Sequence, residues 1–367
     1  MNNSSTFSFH NLLRLMVGVA LGVLLLLSPW NHPPADGLDA LRTLAVQVDG
    51  RKKPLDTVAK ETIAQIHGSE HYQTRDGAQL DSLNAYLTLW FNTLNWNEEP
   101  FVLVNYRPLK ESVDLDLDRK HFTFQELMSN QKLVTLVKTA HELEAQDARL
   151  NRNQKEALIV EDRLQLLFGT VGDRKLGIIP HPNEIKGTWA GLDTATTLYD
   201  AETVAPVLAQ MGFLQQVLMR DSSSHEGAVA QLGQELQQTL RAFSPSIYPT
   251  PKTLGREVYF NQFHPFAKAW MLYTFAFSVM LLSIWVTRFN LYWTSVGLFL
   301  TGIAVQAYGF LLRMEIAGRP PVTNMYESVV WVGFGIAAIA LTFELMTRAR
   351  YYLLAAAPLA VACLILA

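Results

Sequence analysis

The sequence predicts a helical membrane protein with five transmembrane α-helices and an α-rich (α+β) extracytoplasmic domain between the first and the second. Three observations carry that expectation. The 367 residues are 49% hydrophobic and only 17% charged, an apolar excess over an ordinary soluble domain. The excess is uneven: residues 1–30 carry one charge, Arg14, and residues 266–367 carry six basic and three acidic side chains, which leaves 23 basic and 30 acidic ones between them. Five nearly uncharged stretches also approach the roughly 18 residues that cross a hydrocarbon core of about 30 Å as a helix. The acidic middle offers no basic patch for nucleic acid, and the composition excludes a collagen-like or disordered chain. With Cys363 as the sole cysteine, no intrachain disulfide, CxxC redox pair or thiolate zinc site can form.

The first stretch, residues 11–30, runs from Arg14 through LMVGVALGVLLLLSPW and lacks a small-x-small cleavage site, so residues 1–30 are expected to be an uncleaved anchor. Residues 31–243 form the expected extracytoplasmic domain. Within 46–66, Asp49-Gly50 suits a tight turn, Pro54 leads into a helix, and Asp56 or Thr57 can cap residues 58–66. Arg51 and Lys53 are candidates for an anionic ligand. His67 and His71, separated by Gly68, are expected at the surface. Apolar residues recur at helical spacing in 81–95, 124–168, 201–219 and 227–242, with 220–226 as a loop, while 101–106 and 176–180 read as short strands. His181, between two prolines, fits an irregular turn. Residues 244–254 hold three prolines and read as a stiff linker, part of a membrane-entry segment covering 244–268. No glycine-rich phosphate loop, nucleophile elbow or His-Glu-x-x-His run is present.

Residues 269–367 supply the remaining four spans, at 269–286, 293–312, 329–346 and 351–367. Arg288, Arg348 and Arg350 fall in alternate short connectors, which with Arg14 places those connectors inside and the large domain outside. Glu344 is the one candidate intramembrane charge, and near a span end it can reach the interface. The segment 313–328 would face outward despite its two arginines. Gly318 permits an unusual backbone angle, Pro320-Pro321 stiffens the chain, Thr323 or Asn324 can cap the next helix, and Glu327 suits its first turn. Arg313 and Arg319 can neutralise carboxylates at the membrane surface.

At Gly318-Arg319-Pro320-Pro321-Val322-Thr323-Asn324-Met325-Tyr326-Glu327-Ser328, preceded by Arg313, the chain resembles the CcsA/ResC-type cytochrome c assembly proteins of System II, haem-handling proteins related to CcmC and CcmF. Glu257-Val258-Tyr259-Phe260-Asn261, Pro265-Phe266 and Trp270 resemble the membrane entry of forms with an extended N-terminal region. Gly50-Arg51 and Pro54-Leu55-Asp56-Thr57 resemble the start of that region. The resemblance implies haem delivery to the outer face of the cytoplasmic membrane and attachment to a CxxCH apocytochrome, together with a ResB/CcsB-like subunit. Haem would be bound transiently. Arg313, Arg319, Asn324, Tyr326 and Glu327 are the candidates to shape its surface, and His264 is a candidate ligand nearby; no resident metal is expected. The family's tryptophan-rich WWD loop with its flanking histidines has no counterpart here, and 269–367 contain no histidine, so the chain is expected to be a member truncated before that loop. The alternative expectation is a membrane-anchored extracytoplasmic ligand-binding or sensor module. A transporter fragment, a further alternative, would call for more intramembrane charge than Glu344.

Overall fold

The computed structural model describes residues 9–27, 37–219, 226–286, 291–320, 322 and 325–367. The chain divides into two compact units, one of Pro33–Val258 and one of Met1–His32 with Tyr259–Ala367. Each is built around its own apolar core.

The Pro33–Val258 unit is mostly helical, with three two-stranded antiparallel sheets among its described residues. Helix α1 (Phe9–Leu27) precedes it, and the unit itself begins with the short α2 (Asp39–Arg42). Strands β1 (Ala45–Val48) and β2 (Arg51–Pro54) pair with Val48 opposite Arg51. The intervening Asp49-Gly50 has φ of 51° and 73°, the two left-handed residues that a tight hairpin turn requires. Pro54 then leads into α3 (Leu55–His67), which buries Leu55, Val58, Ala59, Ile63 and Ile66. The expected cap by Asp56 or Thr57 does not form. Pro54 holds the cap position, and the carboxylate of Asp56, only 1% exposed, lies 3.0 Å from Arg42 Nη1. A carboxylate so buried is stabilised by a cation more than by solvated helix N–H groups.

Strands β3 (His71–Gln73) and β4 (Gln79–Asp81) form the second hairpin and feed α4 (Ser82–Trp90). Asp81 caps that helix by accepting from Asn84 N at 2.8 Å, and its other oxygen takes Arg42 Nη2 at 2.7 Å. Burial works against the Asp81 charge, yet these bonds hold its carboxyl below the usual range. Of the strand expected at 101–106, only β5 (Val102–Leu103) forms; after α5 (Arg107–Ser112) it pairs with β6 (His121–Phe122). Around 176–180 there are isolated bridges, Gln47 with Gly177 and Ile179 with Ala190, and no extended strand.

The periodic stretch 124–168 is three helices, α6 (Phe124–Met128), α7 (Gln131–Glu144) and α8 (Arg152–Thr170). Each has its own start: a Thr123/Glu126 capping box, Asn130, and an Asn151/Gln154 capping box. Helices α9 (Ala201–Met219) and α10 (Glu226–Phe243) bury Val204, Val207, Met211, Leu236 and Leu240. The loop expected between them lies, at 220–225, outside the described residues.

The proline-rich segment corrects the linker expectation. Ile247 and Tyr248 are buried, the Tyr248 hydroxyl accepts from Ala45 N at 3.0 Å, and Ser244 donates to the carbonyl of His181 at 2.9 Å. Helix α11 (Pro251–Phe263) then starts on Pro251, where the missing N–H costs nothing. His181 sits in a turn as expected, its Nδ1 accepting from Glu184 N at 2.9 Å.

The other unit holds α1, α12 (Pro265–Trp285), α13 (Tyr292–Ala317), α14 (Met325–Thr347) and α15 (Tyr351–Leu366). Four helical stretches are long and apolar enough to cross a membrane: Phe9–Leu27, Pro251–Trp285 (interrupted at His264, φ 47°), Tyr292–Ala317 and Met325–Thr347. The fifth expected span, α15, is a 16-residue apolar helix, about 24 Å at 1.5 Å per residue and short of that length.

Helix α13 packs on α1, α12 and α14. Gly18 and Gly22 of α1 face Thr294 and Thr301, and a Cβ on Gly18 would stand 2.2 Å from the Thr294 carbonyl oxygen. This small-xxx-small spacing lets two backbones approach closely. Deeper in the bundle, Tyr273 of α12 donates to Gln306 Oε1 at 2.7 Å and Gln306 Nε2 donates to the Val330 carbonyl of α14 at 3.0 Å. Gln306 is fully buried, and both ends of its amide are satisfied.

Candidate functional site

The candidate site forms where α13 ends and α14 begins. Gly318, at φ 63°, adopts the left-handed conformation that terminates α13, and its N–H bonds the Met314 carbonyl. Arg313 lies on the last turns of α13, Arg319 just past its end, and Glu327 in the first turn of α14. Glu327 is only 2% exposed. Its Oε1 is 3.4 Å from Arg313 Nε and 3.9 Å from Arg319 Nη2. The Arg313 guanidinium also lies 5.2 Å from the Tyr326 ring centre and 5.9 Å from that of Phe260. Four of the sequence candidates, Arg313, Arg319, Tyr326 and Glu327, therefore meet in one cluster. Asn324, with Pro321 and Thr323, lies outside the described residues. His264 holds the N-cap position of α12, where its carbonyl accepts from Lys268 N.

Within the cluster, two guanidiniums face the Glu327 carboxylate. The two arginines are not equivalent. Arg313 is held between an aromatic pair and Glu327, an arrangement that fixes its planar fork. Arg319 is half exposed and touches Glu327 at ion-pair distance, too long for a hydrogen bond. Its N–H groups can therefore meet a further anion, and a carboxylate or phosphate suits the fork. Phe260 belongs to the stretch singled out by resemblance, but its place beneath Arg313 was not legible.

At the opposite end of α14, Glu344 corrects the expectation that it reaches the interface. It is fully buried; Oε1 accepts from the Tyr292 hydroxyl at 2.9 Å and from Arg350 N at 2.7 Å. Glu344 thereby caps the start of α15 across a turn in which Arg348 and Arg350 both have positive φ. Arg348 lies 5.6 Å from the Trp293 ring and Arg350 5.9 Å from that of Tyr292.

In the Pro33–Val258 unit, Arg51 and Lys53 are committed within the protein: Arg51 pairs with Glu257 at 3.0 Å and Lys53 with Glu61 at 2.6 Å. Glu257 also accepts from the Thr57 hydroxyl at 3.3 Å. Two stretches quoted for the family resemblance, 50–57 and 257–261, are thus joined by an ion pair and a hydrogen bond. His67 corrects the surface expectation. It is 9% exposed, its ring stacks on His121 with centres 4.0 Å apart, and its Nδ1 meets the Phe101 carbonyl at 3.0 Å. Burial, with each ring's positive neighbours adding to it, holds both imidazoles below the ordinary histidine range. Tyr72, stacked on the same cluster, donates to Glu99, and burial followed by that carboxylate pushes its phenol up. His71 is exposed in β3. Among the described residues no group of three or more His, Cys, Asp or Glu side chains could hold a metal ion.

No family model matches the chain. Among curated proteins it is similar to the protein NrfI of Wolinella succinogenes, with 24% identity over 307 residues, 80% of this chain and 32% of NrfI. The chain therefore spans about a third of the length of that relative.

Proposed function

We propose that the chain is a membrane subunit of a holocytochrome c synthase complex, delivering haem at the outer face of the cytoplasmic membrane for attachment to a CxxCH apocytochrome. The observation that carries the reading is the similarity to NrfI along 80% of the chain, which supports a role in cytochrome c maturation at a coarse level. The charge cluster around Glu327 supports the finer part. Haem here is cargo, and its propionates are the carboxylates that the Arg319 fork suits. Arg313, locked by Tyr326, Phe260 and Glu327, sets the position of the cluster, and Glu327 keeps the two guanidiniums from repelling one another.

The Glu327 cluster fits the propionate edge and holds no histidine that would ligate the iron. Residues 269–367 hold no histidine, and the described histidines of this unit are His10 and His264; we keep His264 as the one candidate ligand of this chain and assign the remaining iron ligation to the rest of the assembly. A ResB/CcsB-like subunit is the partner this reading requires. Thioether formation depends on holding haem vinyl groups beside thiols, and a charged rim that fixes the propionates contributes orientation. The arrangement of basic connectors supports an outside position for residues 31–265 and for the loop that carries Arg319.

Both parts are testable in cells. Loss of the chain should abolish covalent c-type haem while leaving b-type haem in place, and unchanged c-type haem would contradict the role. In a Cys363→Ser background, Ser129→Cys and Ala317→Cys should each react with an impermeant thiol reagent in intact cells. Labelling only after lysis would reject the orientation.

A further inference from the structure

The Pro33–Val258 unit contains a trough of about 610 Å³, within the size range of small-molecule sites. It lies between the turn after α4 and helices α6 and α8. Asn92, Asn95 and Asn97 stand along it, Trp96 lines the wall, and Phe124 and Phe168 stack at one side with ring centres 6.2 Å apart. Aliphatic side chains complete the lining, and no ionisable residue is among them. That neutrality stands out in a region that carries 23 basic and 30 acidic side chains.

The three asparagines offer polar groups to a ligand. Asn92 and Asn97 make no side-chain hydrogen bond among the described residues. Asn95 uses its amide nitrogen on Glu98 at 3.0 Å and keeps its oxygen. Trp96 is 3% exposed, and its indole N–H, shielded from solvent, has no partner among the described residues. Phe168 is 74% exposed, although its neighbour Leu167 on α8 is buried. An aromatic ring held open to solvent by a stacked partner forfeits burial that a ligand would restore.

We propose that this trough is a binding site for a short neutral saccharide. A side-chain amide presents donors beside an acceptor, which matches neighbouring hydroxyls that each donate and accept. The uncovered face of Phe168 suits the C–H face of a sugar ring, an apolar contact made without charge. The absence of ionised groups in the lining disfavours an anionic or cationic ligand, whose desolvation would go uncompensated. A peptide added as a β-strand would need a sheet edge, and none of the lining residues belongs to a strand. The site is independent of the Glu327 cluster and of the haem reading.

The test is calorimetric titration of the full chain in nanodiscs with chitotriose and with maltotriose, alongside the uncharged peptide Gly-Ser-Tyr-Ser-Gly. At least one saccharide should bind saturably, while the peptide does not. Asn92→Ala combined with Asn97→Ala, and separately Phe168→Ala, should each weaken saccharide binding at least tenfold. All three positions are exposed, and an unchanged unfolding temperature in each variant would show that the unit remains folded. No saturable binding of either saccharide, binding unchanged in both variants, or binding of the peptide in place of the saccharides would each overturn the proposal.

Discussion

The two ends of α14 bury one carboxylate each and treat it in opposite ways. Glu344 takes a phenol and a backbone N–H, both neutral, on Oε1, and its buried Oε2 has no hydrogen-bond partner among the described residues. Glu327 is met by two guanidiniums, one of them half exposed and at a distance too long for a hydrogen bond. The first arrangement closes on the protein itself and fixes helix positions. The second leaves cationic donors at the rim, and that surplus is what makes it the better site candidate. A buried charge thus marks function by what its partners have left over, more than by its burial.

A third setting sharpens the contrast and carries the largest expected effect. Arg42, 3% exposed, lies between Asp56 and Asp81. Arg42→Ala should destabilise the Pro33–Val258 unit by about 3–5 kcal/mol, because it strands the buried Asp56 carboxylate and removes the cation from the partly buried Asp81. Chemical unfolding of the purified chain checks this, and a loss under 1 kcal/mol would refute the structural role. Next in size, Glu344→Ala removes the acceptor of two buried donors at about 1–3 kcal/mol each. Glu344→Gln keeps an oxygen and should retain most of the stability. Equal stability of the native and Ala forms in detergent melts would show that the Glu344 end of α14 is not clamped as described.

The His67–His121 stack tests the same idea with neutral groups. Both rings are held below their ordinary range in the fold, so the unfolded chain binds their protons first as pH falls through about 6.5. Their contribution is complete above that pH and is lost as pH falls toward the folded values. His141, held up by Glu161, acts in the reverse sense, strengthening as pH falls. Replacing the stacked pair by His67→Asn with His121→Gln should therefore flatten the loss of unfolding temperature between about pH 7 and pH 5. An unaltered slope would assign the pH dependence elsewhere.

Four of the five expected spans, the Asp49-Gly50 hairpin and the helices at 201–219 and 227–242 were legible because each rests on local signals: apolar length, turn chemistry and periodicity. The grouping of Arg313, Arg319, Tyr326 and Glu327 was legible because one short loop carries all four. Long-range pairings were not. Nothing near Arg42 announces Asp81, nothing near His67 announces His121, and Glu344 reads as interfacial until Tyr292 and Arg350 are seen around it. The Gly18/Gly22 spacing was open to view and is explained by Thr294 and Thr301, which approach from a distant part of the chain. The breaks within 124–168 were legible too, in Asn130 and Asn151, but the apolar periodicity obscured them.

The central claim is that Arg319 serves a ligand while Glu344 serves the fold. It is tested most directly by measuring covalent c-type haem per unit of chain abundance in cells with the complete assembly system, for Arg319→Ala, Arg319→Lys and Glu344→Ala. Arg319→Ala should leave abundance near native and reduce haem attachment at least tenfold, with Lys restoring it only partly because an ammonium lacks the planar fork. Glu344→Ala should lower abundance and haem together, so that their ratio stays constant. Native haem attachment in an abundant Arg319→Ala chain would contradict the account and leave the Glu327 cluster as a helix connector.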